Sequence, residues 1–418
     1  MRWLKDIPSH WEEKRMKFIS KMYKGNGITK LDIIEDGDTP CVRYGEIYTK
    51  YDNTFNSCFS STNKSLIESP RYFESGDILV SGTGELVEEI GKSVAYLGEK
   101  RCLAGGDIII IKHCQNPIFL NYALNTKYTQ EQKSYGKAKL KVVHISASEM
   151  GRVFIVLPPL AEQEKIVSYL ESKTSKIDAY VADKKNEIQL LQELKQKTIA
   201  EAVTKGLNPD VKMKDSGISW LGMIPEHWGT KRIASLFTGK VKANTDFEYH
   251  HAFKFYYGTL VPKEETGDIE EYRDTYVKYS VLQKNDIMIN GLNLNYDFIS
   301  QRVAISPSDG IITSAYVVAR PRKGTNAQYY NYLFKTMDNM KLFHGMGTGI
   351  RLTLSFDELK KQLVVVPPAD EQQAIVSYIE EKCQKIDTLI TELQAEMDYL
   401  KEYKQRLIAD VVTGQVKV

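Results

Sequence analysis

Two long stretches of this chain repeat apolar residues at steps of three, four and seven, and the segments before them carry short β-branched blocks. Near the C-terminus the apolar positions are Ile375, Ile379, Ile386, Ile390, Leu393, Met397, Leu400, Leu407 and Val411, spaced as one face of a helix. The same pattern occurs earlier at Ile166, Leu170, Ile177, Val181, Ile188, Leu191, Thr198 and Ala202. Each stretch predicts a helix of roughly forty residues, about 60 Å at 1.5 Å per residue. Pro158-Pro159 and Pro367-Pro368 stand at the two entrances, where a missing N–H is harmless. Glu162 and Glu371 fall in the first turns, at the positive end of the helix dipole. By contrast Asp107–Ile111, Val153–Leu157 and Leu363–Val366 are short, β-branched and bounded by turn residues, which predicts buried strands. Glycine breaks at Gly82-Thr83-Gly84, Gly105-Gly106 and Gly345–Gly349 separate such blocks.

These patterns occur twice because the chain is duplicated. WLKDIPSHWEEKR starts at Trp3 and WLGMIPEHWGTKR at Trp220, 217 positions on. LPPLAEQEKIVSYLESKTSKID starts at Leu157 and VPPADEQQAIVSYIEEKCQKID at Val366, 209 positions on. Between them the 209 offset matches Asp77-Ile78 with Asp286-Ile287, Gly82 with Gly291 and Val94-Ala95 with Val303-Ala304, and sets Lys92 against Gln301 beside Arg302. The flanks are alike while the middles share a framework and differ in detail. Copies of that kind either read two different things from equivalent positions or are a duplicated fold with no shared function.

The predicted class is α+β, with two mixed α/β globular domains alternating with two long helices. The boundaries are 1–157 for the first domain, 158–205 for its helix, 206–223 for a linker, 224–366 for the second domain and 367–418 for the second helix. Alone, each apolar stripe would face water. Packed as an antiparallel, coiled-coil-like pair the stripes bury each other, and the domains would lie at opposite ends about a pseudo-twofold axis; the alternative is two separate helices, each folded onto its own domain.

Composition changes this picture little. The 418 residues give a net charge of +2, so no global basic signal marks a nucleic-acid partner, and any such surface must come from local clustering. Cys41, Cys58, Cys102, Cys114 and Cys383 are odd in number and lack CxxC spacing, which points away from a disulfide framework or zinc site. No apolar run approaches a membrane span, and the charged start MRWLKDIPSHW lacks the apolar core of a signal peptide, so the expected location is the cytoplasm.

IPxHW opening each half, a variable middle, then PPxxEQ leading into a long helix that ends in IAEAVTKG or IADVVTGQV, resembles the specificity subunits of type I restriction-modification systems across essentially the whole chain. The resemblance implies that each variable region is a target recognition domain reading one half of a bipartite, asymmetric DNA site. It implies that the helices act as spacer and bind two adenine-methylating subunits, with motor-nuclease subunits completing the restriction enzyme of a host-defence system. This chain would carry no cofactor, while those partners would use S-adenosylmethionine, ATP and Mg.

Three loops supply candidate contacts. Lys137, Lys139 and Lys141 follow Gly136, and their counterpart is the Gly345–Arg351 loop with Thr348 and Arg351; glycine admits phosphate to the backbone and Lys or Arg neutralises it. Ser81, Thr83 and Lys92 face Asn290, Asn293, Asn295 and Arg302, residue types that pair with base edges. Arg43-Tyr44 is echoed by Tyr256-Tyr257. Each set has a plainer reading, as solvated loop, turn chemistry and core tyrosine respectively. The PPxxEQ residues Glu162, Gln163, Glu371 and Gln372 read first as caps and second as a docking surface for the methylating subunits.

No catalytic constellation is legible. Adenine methylation needs Asn or Asp before Pro-Pro, and here Leu157 and Val366 hold that place. Gly91-Lys92-Ser93 lacks the earlier glycine of a phosphate loop, since Leu86 occupies it. Two rivals remain: an enzyme with unrecognised motifs, and a structural rod whose domains bind protein or sugar.

Overall fold

The computed structural model describes residues 7–84, 86–137, 142–296, 301–350 and 352–418. It divides into two compact units, Met1–Lys184 with Gln394–Val418 and Lys185–Leu393. This division differs from a linear cut of the chain, because each unit contains a length of both long helices, Leu160–Lys205 and Ala369–Val412.

In the first unit the main sheet has the order Ser20–Lys24, Ile108–His113, Ile78–Ser81, Ser93–Tyr96, Thr54–Phe55. The first three pairs are antiparallel and the last is parallel. Its central strands, Ile78–Ser81 and Ile108–Ile111, are buried on both faces, which is why their apolar residues run on without polar alternation. The opening motif continues as Glu12–Arg15, antiparallel to Phe154–Leu157, so the start of the domain pairs with the strand that feeds the helix. Trp11, Ile78, Val80, Phe119 and Leu120 share one core with Ile166, Val167 and Leu170 of the first helix and Val411 and Val412 of the second. Within this unit Lys404 bonds Asp178 at 2.7 Å and Tyr180 bonds Glu396 at 2.8 Å, so positions rise on one helix as they fall on the other: the pair is antiparallel.

The second unit repeats the plan. Phe237–Thr238, Val317–Pro321, Ile287–Ile289 and Val303–Ile305 form its sheet, antiparallel throughout. Gly229–Arg232 pairs with Leu363–Val366. Ile375, Val376, Ile379 and Cys383 pack in one core with Ala202, Val203, Trp228 and Phe334. Lys195 reaches Asp387 at 2.7 Å.

The ladders correct the repeat register. Ile78 lies between Ile111 and Ala95, and Ile287 between Ala319 and Ile305. The second copy therefore has one residue more in the loop joining the paired strands, and Val94 corresponds to Ala304 rather than Val303. The same slip makes Lys92 the equivalent of Arg302: the Ser81 N–H bonds Lys92 O at 2.9 Å and the Asn290 N–H bonds Arg302 O at 2.8 Å. Sequence identity was too thin there to place a single inserted residue. An ion pair on a buried aspartate is preserved across the copies, Lys112 with Asp77 at 2.8 Å and Arg320 with Asp286 at 2.7 Å. Each aspartate also accepts a backbone N–H three residues earlier, from Glu74 or Gln283, both at 2.8 Å.

Candidate nucleic-acid interface

The repeated motifs are structural ties. In the first unit Glu162 accepts from His10 at 2.9 Å and from the Trp11 indole at 3.1 Å. In the second unit Glu371 accepts from His227 at 2.5 Å and from Trp228 at 2.9 Å. The adjacent Gln163 and Gln372 are buried and donate back to the carbonyls of Pro158 and Pro367, at 3.0 and 2.8 Å. IPxHW and PPxxEQ are thus two halves of one clamp that fixes the domain on its helix, which the sequence reading took as separate signals.

Within each unit the described parts of the three candidate loops, with the residues that flank them, come together. Ile145 donates its N–H to Gly82 O at 2.9 Å, and Leu354 donates to Gly291 O at 2.9 Å. In the second unit the crossing is close enough to require glycine, since a Cβ on Gly291 would lie 2.6 Å from Leu354 O; in the first the fit is tight, with a Cβ on Gly82 3.0 Å from Asp107 O and 3.4 Å from Ile145 O. In the first unit Thr83 pairs with His144 across a short antiparallel ladder, and the Thr83 hydroxyl meets His144 Nδ1 at 3.1 Å. The Tyr48 hydroxyl donates to Thr83 O at 3.1 Å, bringing the helix Tyr44–Thr49 to the same edge. In the second unit the Leu294 N–H bonds Leu352 O at 3.1 Å, and Asn295 Nδ2 donates to Ile350 O at 3.3 Å. A Cβ on Gly258 would lie 2.5 Å from Gln301 Oε1, so the Tyr257-Gly258 turn sits against the residue before Arg302.

The individual side chains divide sharply. Ser81 is buried and donates to Thr83 O at 2.8 Å, not outward. Arg302 is 1% exposed, with its guanidinium on Asn290 O and Leu292 O at 3.0 and 2.8 Å. Lys92 donates to Tyr51 O at 3.0 Å, and burial lowers its pKa. Arg43 precedes the helix, its backbone N–H donating to Glu46 at 3.1 Å and its guanidinium bonding the same buried carboxylate at 2.9 Å, while Ser60 donates to it at 2.6 Å. Lys137 is held by His144 O at 2.5 Å and Glu149 at 2.7 Å. Burial pushes Glu149 up, but hydrogen bonds from Lys137 and Ser146 outweigh it and hold the carboxyl at about 2. These five side chains are spent inside their own chain, because each lies beside backbone carbonyls or carboxylates that burial obliges it to satisfy.

Of the other described candidates Thr83 is buried, Asn290 and Asn295 are half-buried, and four are exposed. Tyr44 and Tyr257 are exposed, the latter at φ 43° and edge-on to exposed Tyr256 at 4.7 Å. Asn293 is exposed in the left-handed region at φ 52°, a conformation that asparagine tolerates. Thr348 is exposed and pairs by backbone with Thr353. Asn290 is half-buried and caps its own turn, accepting the Leu292 N–H at 3.2 Å. Asn295 Oδ1 is buried without a hydrogen-bond partner among the described residues. Lys139, Lys141 and Arg351 lie outside the described residues. The sequence reading missed Tyr48 and His144, which support the first loop, and two exposed apolar side chains of the second unit, Tyr296 at 76% and Ile350 at 96%. The signal for the latter was a large apolar residue in a segment too short and glycine-rich to fold over it.

Among the described residues no group of three or more His, Cys, Asp or Glu side chains is placed to hold a metal ion, and no helix is long and apolar enough to cross a membrane.

Comparison with known proteins places this geometry. The chain is 18% identical over 429 residues to the EcoKI specificity subunit of Escherichia coli strain K12, covering 98% of this chain and 90% of that protein. It is 23% identical over 359 residues to the EcoBI specificity subunit of Escherichia coli, covering 74% and 72%. A chain in a solved structure of a type I R-M system matches its fold with a TM-score of 0.71 at 15% identity, over 99% of this chain and all of that one. The HsdS subunit from Thermoanaerobacter tengcongensis matches with a TM-score of 0.54 at 14% identity, over 99% of each. The model for the type I restriction modification DNA specificity domain matches twice, over residues 8–190 and 225–397, and the chain belongs to that family.

Proposed function

We propose that this chain is the DNA-reading subunit of a type I restriction-modification complex, in which each unit reads one half of a bipartite, asymmetric site. The observation that carries the reading is the convergence, in both copies, of the described parts of three separately encoded loops, with their flanking residues, onto one edge around Gly82 and Gly291. A scaffold that fixes such an edge while its side chains differ is what reading two unlike half-sites requires. The proposed contacts are Tyr44, Lys139 and Lys141 in the first unit, and Tyr257, Asn290, Asn293, Thr348 and Arg351 in the second, while Thr83 and Asn295 are turned to their own chain, on His144 and Ile350 O. Ser81, Lys92, Lys137, Arg43 and Arg302 support the edge from behind. The paired helices set the gap between half-sites and dock two methylating subunits. Exposed Leu190, Leu194 and Leu389 are apolar positions on those helices suited to such partners. Motor-nuclease subunits then join in the cytoplasm, and S-adenosylmethionine, ATP and Mg serve these partners rather than this chain.

The test is the adenine methylome of the source cell with and without this gene. The expected result is loss of methylation at one motif made of two short specific halves around a fixed run of arbitrary bases. An unchanged methylome, in cells shown to express the chain and its methylating partners, would sink the proposal.

A further inference from the structure

The loop Asn290–Tyr296 is held from two sides. In front, its Leu294 N–H and Asn295 amide bond Leu352 O and Ile350 O. Behind it, one guanidinium does what two donors would otherwise have to do. Arg302 Nη1 donates to Asn290 O at 3.0 Å and to Leu292 O at 2.8 Å, and the Asn290 N–H returns to Arg302 O at 2.8 Å. Arg302 is itself pinned, its own N–H donating to Asp338 Oδ2 at 2.6 Å, and Asp338 is 2% exposed. What the loop then presents to solvent is Asn293 at φ 52° and Tyr296 at 76% exposure.

We propose that Arg302 is a positioning residue for base reading by the second unit: it touches no base, and fixes the backbone from which Asn293 and Tyr296 project. The inference rests on the reading of this edge as the DNA-contacting one. Arginine suits the place: its planar guanidinium keeps its charge and is more weakly hydrated than a lysine ammonium, whose pKa falls on burial as that of Lys133 does. The first unit shows the contrast at the equivalent place. Lys92 turns away to Tyr51 O, and the Thr83 carbonyl is held instead by Ser81 at 2.8 Å and Tyr48 at 3.1 Å. The two reading loops therefore share a position and differ in their bracing, so weakening Arg302 affects one half-site only.

The experiment uses the full chain in complex with its methylating subunits, with Arg302→Lys and Arg302→Gln. Methylation rates are measured on duplexes in which each base pair of both half-sites is varied singly, with thermal unfolding followed in parallel. The expected result is a loss of roughly tenfold in discrimination at one or more base pairs of the half-site read by the second unit, with first half-site preferences unchanged. Unaltered preferences in a folded Arg302→Lys variant overturn the proposal. An equal loss at both half-sites does so too, as does global unfolding of Arg302→Lys, because either marks a general structural role. A wild-type complex with no base preference at either half-site fails the underlying reading before any variant is compared.

Discussion

Trp228 donates its indole N–H to Glu371 at 2.9 Å, tying the residue that opens the second domain to the first turn of that domain's long helix. Trp228 is fully buried, so removing its acceptor strands a donor away from water. Glu371→Ala is expected to destabilise the second unit by about 1–3 kcal/mol, and Glu371→Gln by less, since an amide oxygen still accepts. Denaturant titration read by tryptophan fluorescence checks this. A Trp228→Phe, Glu371→Ala double variant that loses the full sum of the single losses would show that the two side chains are not coupled.

Lys133 gives the first unit an uncommon pH response. Its ammonium is fully buried, on Gly91 O and Leu124 O at 2.8 Å each, and burial lowers its pKa to about 7. Below that value both folded and unfolded states hold the proton and the burial penalty is complete. Between about 7 and the ordinary lysine value of 10.5 the unfolded state binds more protons, so stability contributed by this group rises with pH. Lys133→Met should remove that rise. Equal pH slopes for the variant and wild type, from unfolding measured across this window, would contradict it.

Lys137 was expected to neutralise phosphate, but its ammonium is already held by Glu149 and a backbone carbonyl. Lys137→Ala should leave the slope of log affinity against log salt unchanged for DNA binding by the complex. A fall of about 0.9 in that slope would return the lysine to the contact set. The same variant should raise the Glu149 pKa from about 2, exposing the loop to protonation at a less acid pH. That stability is present above the ordinary carboxylate value and is lost as pH falls towards 2, so Lys137→Ala should lose it earlier in an acid titration.

Adding one helical turn to both long helices at facing levels should lengthen the preferred gap by about 6 Å, or roughly two base pairs, and leave both half-site sequences unchanged. Methylome sequencing of a strain carrying the insertion gives gap and bases together. Altered bases with an unaltered gap would remove the helices from the spacer role.

The sequence by itself determined the features that follow from local period and repetition. A spacing of three, four and seven sustained from Ile375 to Val411 specifies a helical face whatever it packs against. β-Branched runs such as Ile108–Ile111 specify strands buried on both sides. The matched IPxHW and PPxxEQ segments marked the duplication and with it the family. Tertiary structure decided everything that depends on which side of a loop a polar group faces. Ser81 and Arg302 carry the donors expected of base-reading residues, yet both point inward, because the carbonyls of Thr83, Asn290 and Leu292 lie there and burial requires them to be satisfied. The pairing of His10 and Trp11 with Glu162 joins residues about 150 positions apart, and no local rule reports such a distance. One inserted residue between paired strands moved Lys92 onto Arg302, since a ladder counts registers that a weak sequence match cannot. Period is written residue by residue along the chain; direction and partnership exist only once the chain has closed on itself.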